Sequence, residues 1–95
     1  ELGDVLTVND VNRTELKIYP NPTSDILNIE FDSKRSEKVK CIIYNEVGSK
    51  AKSYSENVSI GGNKLTFDVN TLKPGVYFVS LQMYNETITK QFIIE

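Results

Sequence analysis

The chain has 95 residues, a net charge of −2 and 39% apolar residues, enough for one packed domain and too apolar for a disordered segment. It contains no His and a single Cys, Cys41; the usual general base and commonest metal ligand are missing, and no internal disulfide can form. Charges of both signs are scattered, the densest basic cluster (Lys34, Arg35, Lys38, Lys40) is broken by Glu37, and no apolar run exceeds four residues, which argues against nucleic-acid binding and against membrane insertion.

Residues 1–14, ELGDVLTVNDVNRT, carry no long periodic pattern and are rich in Asp, Asn and Thr. They read as a linker or one short strand leading in from an upstream domain, and with Glu1 first and no leader pattern the chain reads as a piece processed or excised from something larger. From Glu15 onward short β-type runs alternate with turn residues: Leu16–Tyr19, Ile26–Phe31, Lys38–Tyr44, Lys50–Ser55, Lys64–Val69, Val76–Tyr84 and Thr87–Ile94. No stretch sustains a helical apolar period, so the expectation is an all-β domain of about seven antiparallel strands, a sandwich or a small barrel.

Between the first two runs, Pro20 and Pro22 cannot donate ladder hydrogen bonds, and each biases the residue before it toward extended backbone. The first strand therefore stops at Tyr19, and Thr23, Ser24 and Asp25 supply side-chain acceptors for a turn into the second. Leu27, Ile29 and Phe31 then alternate with Asn28 and Glu30, and Val39, Cys41 and Ile43 alternate about Lys40. The alternation points both trios inward and makes Cys41 a small core hydrophobe rather than a nucleophile. Asn45-Glu46-Val47-Gly48 fits a type I turn in which Gly48 takes positive φ, giving a hairpin with a bulge.

Leu65, Phe67 and Val69 repeat the inward pattern, as do Tyr77, Val79 and Leu81. Pro74-Gly75 fits the two central positions of a type II turn. The spacing Leu72-x-Pro74-Gly75-x-Tyr77 resembles the tyrosine corner of Greek-key sandwiches, in which a buried Tyr hydroxyl bonds back to the chain. It favours an immunoglobulin-like Greek-key β-sandwich over a barrel. In the last run Ile88, Phe92 and Ile94 share a face with Lys90, a charge that marks an edge strand guarded against wrong pairing.

Catalysis finds little support. Asp25, Glu30, Asp32 and Asp68 have acid–base chemistry, but their local sequence does not distinguish them from turn and surface residues. There is no nucleophile elbow, phosphate loop or calcium loop, so no cofactor or metal is expected. A non-catalytic adhesion or carbohydrate-binding module is the alternative, weakened by the lack of Trp and by the spacing of Tyr19, Tyr54 and Tyr84, candidates for exposure that suggest no planar aromatic platform.

Three motifs in order carry a family resemblance. They are Ile18-Tyr19-Pro20-Asn21-Pro22-Thr23-Ser24-Asp25-Ile26-Leu27-Asn28-Ile29, then Ile42-Ile43-Tyr44-Asn45-Glu46-Val47-Gly48, then Leu72-Lys73-Pro74-Gly75-Val76-Tyr77 with the ending Thr87–Glu95. Together they resemble the type A C-terminal sorting domain of the type IX secretion system of Bacteroidota, over residues 15–95. Gln91, after Lys90, stands where the family often has a second basic residue, and Leu6–Asp10 looks like the segment that commonly precedes the domain.

The resemblance implies a transport address rather than an activity. Cargo attached upstream would fold in the periplasm, pass the outer-membrane translocon, and be released or anchored at the surface after a sortase cuts in or before the linker. It directs attention to the C-terminal hairpin. On one reading Lys90, Phe92, Ile93, Ile94 and Glu95 meet a translocon component through a free strand edge. On the other, Phe92 and Ile94 simply complete the core. Tyr19, Pro20, Asn21, Pro22, Asn45, Gly48, Leu72, Pro74, Gly75 and Tyr77 are expected to serve mainly as structure.

Overall fold

The computed structural model describes residues 14–95. The linker expected over residues 1–14, with its Leu6–Asp10 segment, lies outside the described residues except for Thr14. Seven strands follow: β1 Lys17–Tyr19, β2 Ile26–Ser33, β3 Glu37–Asn45, β4 Lys50–Val58, β5 Gly61–Asp68, β6 Gly75–Gln82 and β7 Thr87–Ile94. All pair antiparallel, in a three-stranded sheet ordered β1-β2-β5 and a four-stranded sheet ordered β4-β3-β6-β7. The protein is a β-sandwich, as the alternating patterns require.

The inner faces are those read from alternation. Leu27, Ile29 and Phe31 of β2 and Phe67 of β5 pack against Val39, Cys41 and Ile43 of β3, Tyr77, Val79 and Leu81 of β6, and Ile88, Phe92 and Ile94 of β7. Full burial of each such aliphatic or aromatic side chain contributes about 1.5–3 kcal/mol relative to exposure. Cys41 is fully buried, and its thiol is pushed up to about 12, first by burial and then by the charge of Glu56.

One flank of the sandwich is closed by Tyr54 of β4, whose ring stacks on Phe67 of β5 at 4.3 Å and whose hydroxyl donates to the Asp68 carbonyl at 3.2 Å. Burial, followed by the nearby Asp68 and Cys41, holds the Tyr54 phenol above its ordinary range.

The hairpin between β3 and β4 forms as its residues dictate. Gly48 N–H donates to the Asn45 carbonyl at 3.0 Å, Gly48 has φ +88°, and the Asn45 side-chain oxygen accepts from the N–H groups of both Val47 and Ser49. The short polar side chain at the first position thus ties down the loop, and the αL residue supplies the bulge.

The turn before β6 differs from expectation. The hydrogen-bonded turn is Val69–Leu72, with Leu72 N–H donating to the Val69 carbonyl at 3.1 Å, and Gly75 opens β6 with φ +154°. That angle lies well beyond the roughly +80° of a type II turn. The Lys73 carbonyl instead accepts from the Tyr77 hydroxyl at 2.7 Å, the bond of a tyrosine corner. That acceptor is therefore engaged by a side chain four residues ahead, and Pro74-Gly75 leads straight into the strand.

The strand limits shift modestly. β5 begins at Gly61 and β4 runs to Val58, whereas β6 stops at Gln82. Only Ser59 and Ile60 lie between β4 and β5, so the chain changes sheet within two residues.

Candidate functional site: the pole where the motifs meet

The three motifs, far apart in sequence, converge at one end of the sandwich. Strand register shows how. Asn45 at the end of β3 pairs with Tyr77 near the start of β6, Gly75 pairs with Ile94 at the end of β7, and Thr23 forms a parallel bridge with Ile94. Asp25 joins the same end by accepting the Val69 N–H through its carbonyl at 2.8 Å. The opposite pole holds the β6–β7 hairpin, where Thr14 donates through its hydroxyl to Glu86 at 2.7 Å.

The Pro20–Pro22 segment leaves the three-stranded sheet and crosses to the free side of β7. Both proline peptide bonds, Tyr19–Pro20 and Asn21–Pro22, are cis. Ile93 N–H donates to the Asn21 side-chain oxygen at 2.9 Å, Thr23 N–H donates to the Ile93 carbonyl at 2.9 Å, and Glu95 N–H donates to the Thr23 carbonyl at 3.0 Å. Thr23 is buried, and its hydroxyl donates to the Ile26 carbonyl. Tyr19, at the start of this crossing, donates to the Glu30 carboxylate on the neighbouring strand, which holds its phenol above the ordinary range, with burial a lesser cause.

This clasp changes the picture of the last strand as an open edge. Backbone groups of Ile93 and Glu95 point away from β6 and are already occupied. By the two-residue alternation of a ladder, the outward groups of Thr87, Thr89 and Gln91 project the same way, and among the described residues no strand pairs with them. Any incoming strand therefore meets Thr87–Gln91 and stops where Asn21 begins.

The side chains of the terminal segment divide by face. Phe92 and Ile94 are 1% and 2% exposed and belong to the core, Phe92 lying 5.9 Å from the Tyr77 ring. Lys90, Ile93 and Glu95 are exposed, Ile93 at 40%. Lys90 has the inward parity of its strand but pairs with Val79 at the sandwich rim, the placement of a guarded edge. Of the motif residues, Pro20, Asn21, Pro22, Gly48 and Pro74 are exposed at this pole, Tyr77 is buried, and Tyr19, Asn45, Leu72 and Gly75 lie half-buried.

Sequence reading treated Thr23 only as a turn residue, because its partners are 70 and 72 positions away and no local pattern announces them. Two of the four carboxylates weighed for catalysis each hold a hydrogen bond of their own. Glu30 accepts from Tyr19, and the Asp68 side chain accepts from Asn70 N–H at 2.9 Å. Among the described residues no group of three potential metal-binding side chains occurs.

The distinctive residues of this small β-sandwich thus gather at one pole as turns and clasps. The family model for the secretion system C-terminal sorting domain matches residues 17–95, and the chain belongs to that family, the sorting domains of type IX secretion. A search of curated proteins finds no match. Membership makes the domain a C-terminal signal for type IX secretion, found on proteins destined for the cell surface or the medium.

Proposed function

We propose that this domain carries an upstream cargo protein through the type IX outer-membrane translocon, that the translocon reads the pole built by the three motifs and the end of β7, and that a surface sortase then removes it. The observation that carries this reading is the convergence itself. Pro20–Thr23, Asn45–Gly48, Leu72–Tyr77 and Ile93–Glu95 form one pole, while Thr14, where the chain arrives from residues 1–13, is anchored at the other by Glu86. A cargo entering at the Thr14 pole leaves the motif pole unobstructed for a receptor. The polar composition of residues 1–14 suits a protease that takes its substrate in extended form.

On the folded surface such a receptor meets Lys90, Ile93, Glu95 and the exposed Pro20–Pro22 segment. Phe92 and Ile94 act through the fold, by holding β7 in place. The adhesive alternative has one exposed large aromatic among the described residues, Tyr84, with the Arg35 guanidinium 4.2 Å from its ring centre.

The test fuses residues 1–95 to a fluorescent passenger with an ordinary signal peptide, in paired strains with and without a working type IX translocon. Surface or medium appearance only in the competent strain supports the reading. Periplasmic retention of a folded fusion in both strains refutes it. Removing Phe92–Glu95 from a variant stabilised enough to stay folded is expected to abolish export, and normal export by that variant would refute recognition at this pole.

A further inference from the structure

β3 and β6 are the two central strands of the four-stranded sheet, and each contains a run of four apolar residues, Cys41-Ile42-Ile43-Tyr44 and Val76-Tyr77-Phe78-Val79. A strand with one face on a core and the other in water alternates, whereas a continuous apolar run is the pattern of a strand covered on both faces. Here the inner face is covered by the other sheet, and among the described residues no strand packs on the outer one.

The register assembles the outward members of these runs into a single stripe. Tyr44 lies opposite Phe78, Val76 opposite Ile93, and Ile42 precedes Tyr44 on the same face. Ile42 is buried at 2% exposure, Tyr44, Val76 and Phe78 are half-buried and Ile93 is exposed, so the last four form the accessible part of the stripe. The stripe runs to the motif pole, because Ile93 is the residue that the Asn21 side chain holds.

Charge on the β3 and β4 part of this face has one sign. Lys38 and Lys40 of β3 and Lys50 of β4 have outward parity, are exposed, and make no ion pair among the described residues. The two carboxylates of the same strands, Glu37 and Glu56, pair with the buried Val58 and Val39 and so have inward parity. Glu30, Asp32 and Asp68 lie on the outer face of the other sheet, interspersed with Lys17 and Lys64. In a chain with net charge −2, the outward charges of β3 and β4 are thus all lysines, and the exposed Glu95, two residues past Ile93, is the carboxylate at the pole end of this face.

We propose that the outer face of the four-stranded sheet docks the domain on an acidic protein surface of the outer-membrane translocon, with Tyr44, Phe78, Val76 and Ile93 as its apolar centre and Lys38, Lys40 and Lys50 as its charged rim. The proposal rests on the sorting reading and adds the face and the chemistry of the partner. Apolar centres carry most of the affinity of such an interface, and rim charges steer the encounter and select the partner.

The experiment measures binding of the 95-residue chain to purified, detergent-solubilised translocon at low and high salt, with anionic phospholipid vesicles and duplex DNA as competing probes. Phe78→Gln with Ile93→Thr removes the centre, and Lys38→Glu with Lys40→Glu and Lys50→Glu reverses the rim at exposed positions. Asp32→Lys with Ile26→Thr serves as the opposite-face control, and thermal unfolding confirms that each variant is folded.

Either change on the proposed face is expected to weaken binding at least about tenfold, with the control within about twofold of wild type, and wild-type binding should fall with salt. Face variants that bind as wild type does, preference for vesicles or DNA over translocon, or no translocon binding by wild type would each overturn the proposal. The export assay separates the two readings. Translocon-dependent export of the wild type, with binding indifferent to the face variants, sinks the docking face and leaves the sorting reading standing. Absence of translocon-dependent export sinks the sorting reading itself.

Discussion

The backbone N–H of Ile93 donates to the side-chain oxygen of Asn21 at 2.9 Å across 72 positions of sequence. This bond joins the proline-flanked corner of the first strand to the outer edge of the last. With the two Thr23 bonds it closes one flank of the sandwich and limits the edge still open for pairing.

Loss of this acceptor should loosen the end of β7 without unfolding the domain. Asn21→Ala is expected to cost about 0.5–1.5 kcal/mol, the usual net worth of one hydrogen bond, and Asn21→Asp, which keeps an acceptor, should cost less. Amide exchange reports it directly. Ile93 N–H should exchange much faster in the Ala variant, whereas the outward amides of Thr89 and Gln91 exchange fast already in the wild type. Unchanged Ile93 protection would contradict the clasp.

Tyr77→Phe tests the tyrosine corner. The ring keeps its place beside Phe92, 5.9 Å away, but the Lys73 carbonyl loses its 2.7 Å donor. A loss of about 1–2 kcal/mol is expected in urea unfolding, with little change in the denaturant slope because the surface buried is nearly the same. A stability equal to wild type would mean that the bond contributes nothing net.

Gly48 offers a test of backbone conformation without a packing change. A Cβ there meets nothing within 4 Å, while φ is +88°. Gly48→Ala should therefore destabilise by about 1–2 kcal/mol through the αL conformation alone. Gly48→Asn should recover part of that, because Asn tolerates positive φ best among the non-glycine residues. Equal stability of all three chains, measured by thermal unfolding, would show that the hairpin relaxes freely.

Cys41 gives a pH dependence with a definite sign. Its thiol is raised from 9.0 to about 12 in the folded protein, so between these values the unfolded chain has lost the proton that the native chain retains. Stability attributable to Cys41 is full below about pH 9 and falls as pH rises from there toward 12, with a slope of at most about 1.4 kcal/mol per pH unit. Tyr19 and Tyr54 are raised as well, so the readout is the difference between wild type and Cys41→Ala across that range. A difference that does not change with pH would contradict a buried thiol of high pKa. In the native state below pH 9, thiol reagents should label Cys41 only at the rate of unfolding.

Much of this protein is legible along the chain. Alternation placed Leu27, Ile29 and Phe31, and Val39, Cys41 and Ile43, on inner faces because a two-residue period is local geometry. Asn45 and Gly48 announced their hairpin because the turn asks for those two residues and closes within itself. The misreading at Pro74-Gly75 is equally physical. A Pro-Gly pair suits a type II turn in isolation, but the Tyr77 hydroxyl takes the Lys73 carbonyl and the chain turns earlier, at Val69–Leu72. The outward stripe had a trace too, in the two four-residue apolar runs, which alternation by itself leaves unexplained.

The sequence by itself determined that this is an all-β domain with seven strands, which side chains form its core, where the β3–β4 hairpin closes, and to which family its motifs belong. The first three rest on spacing within a few residues, and the last on the resemblance of three motifs taken in order. Only the tertiary structure decided which strands share a sheet, that the three motifs and the chain end form one pole, that Asn21 and Thr23 occupy the edge of β7, and that one outer face carries lysines around an apolar stripe. Those features depend on contacts between residues such as Asn21 and Ile93, 72 positions apart. The free energy of such contacts appears only when the core has brought both partners together, so no local pattern encodes them.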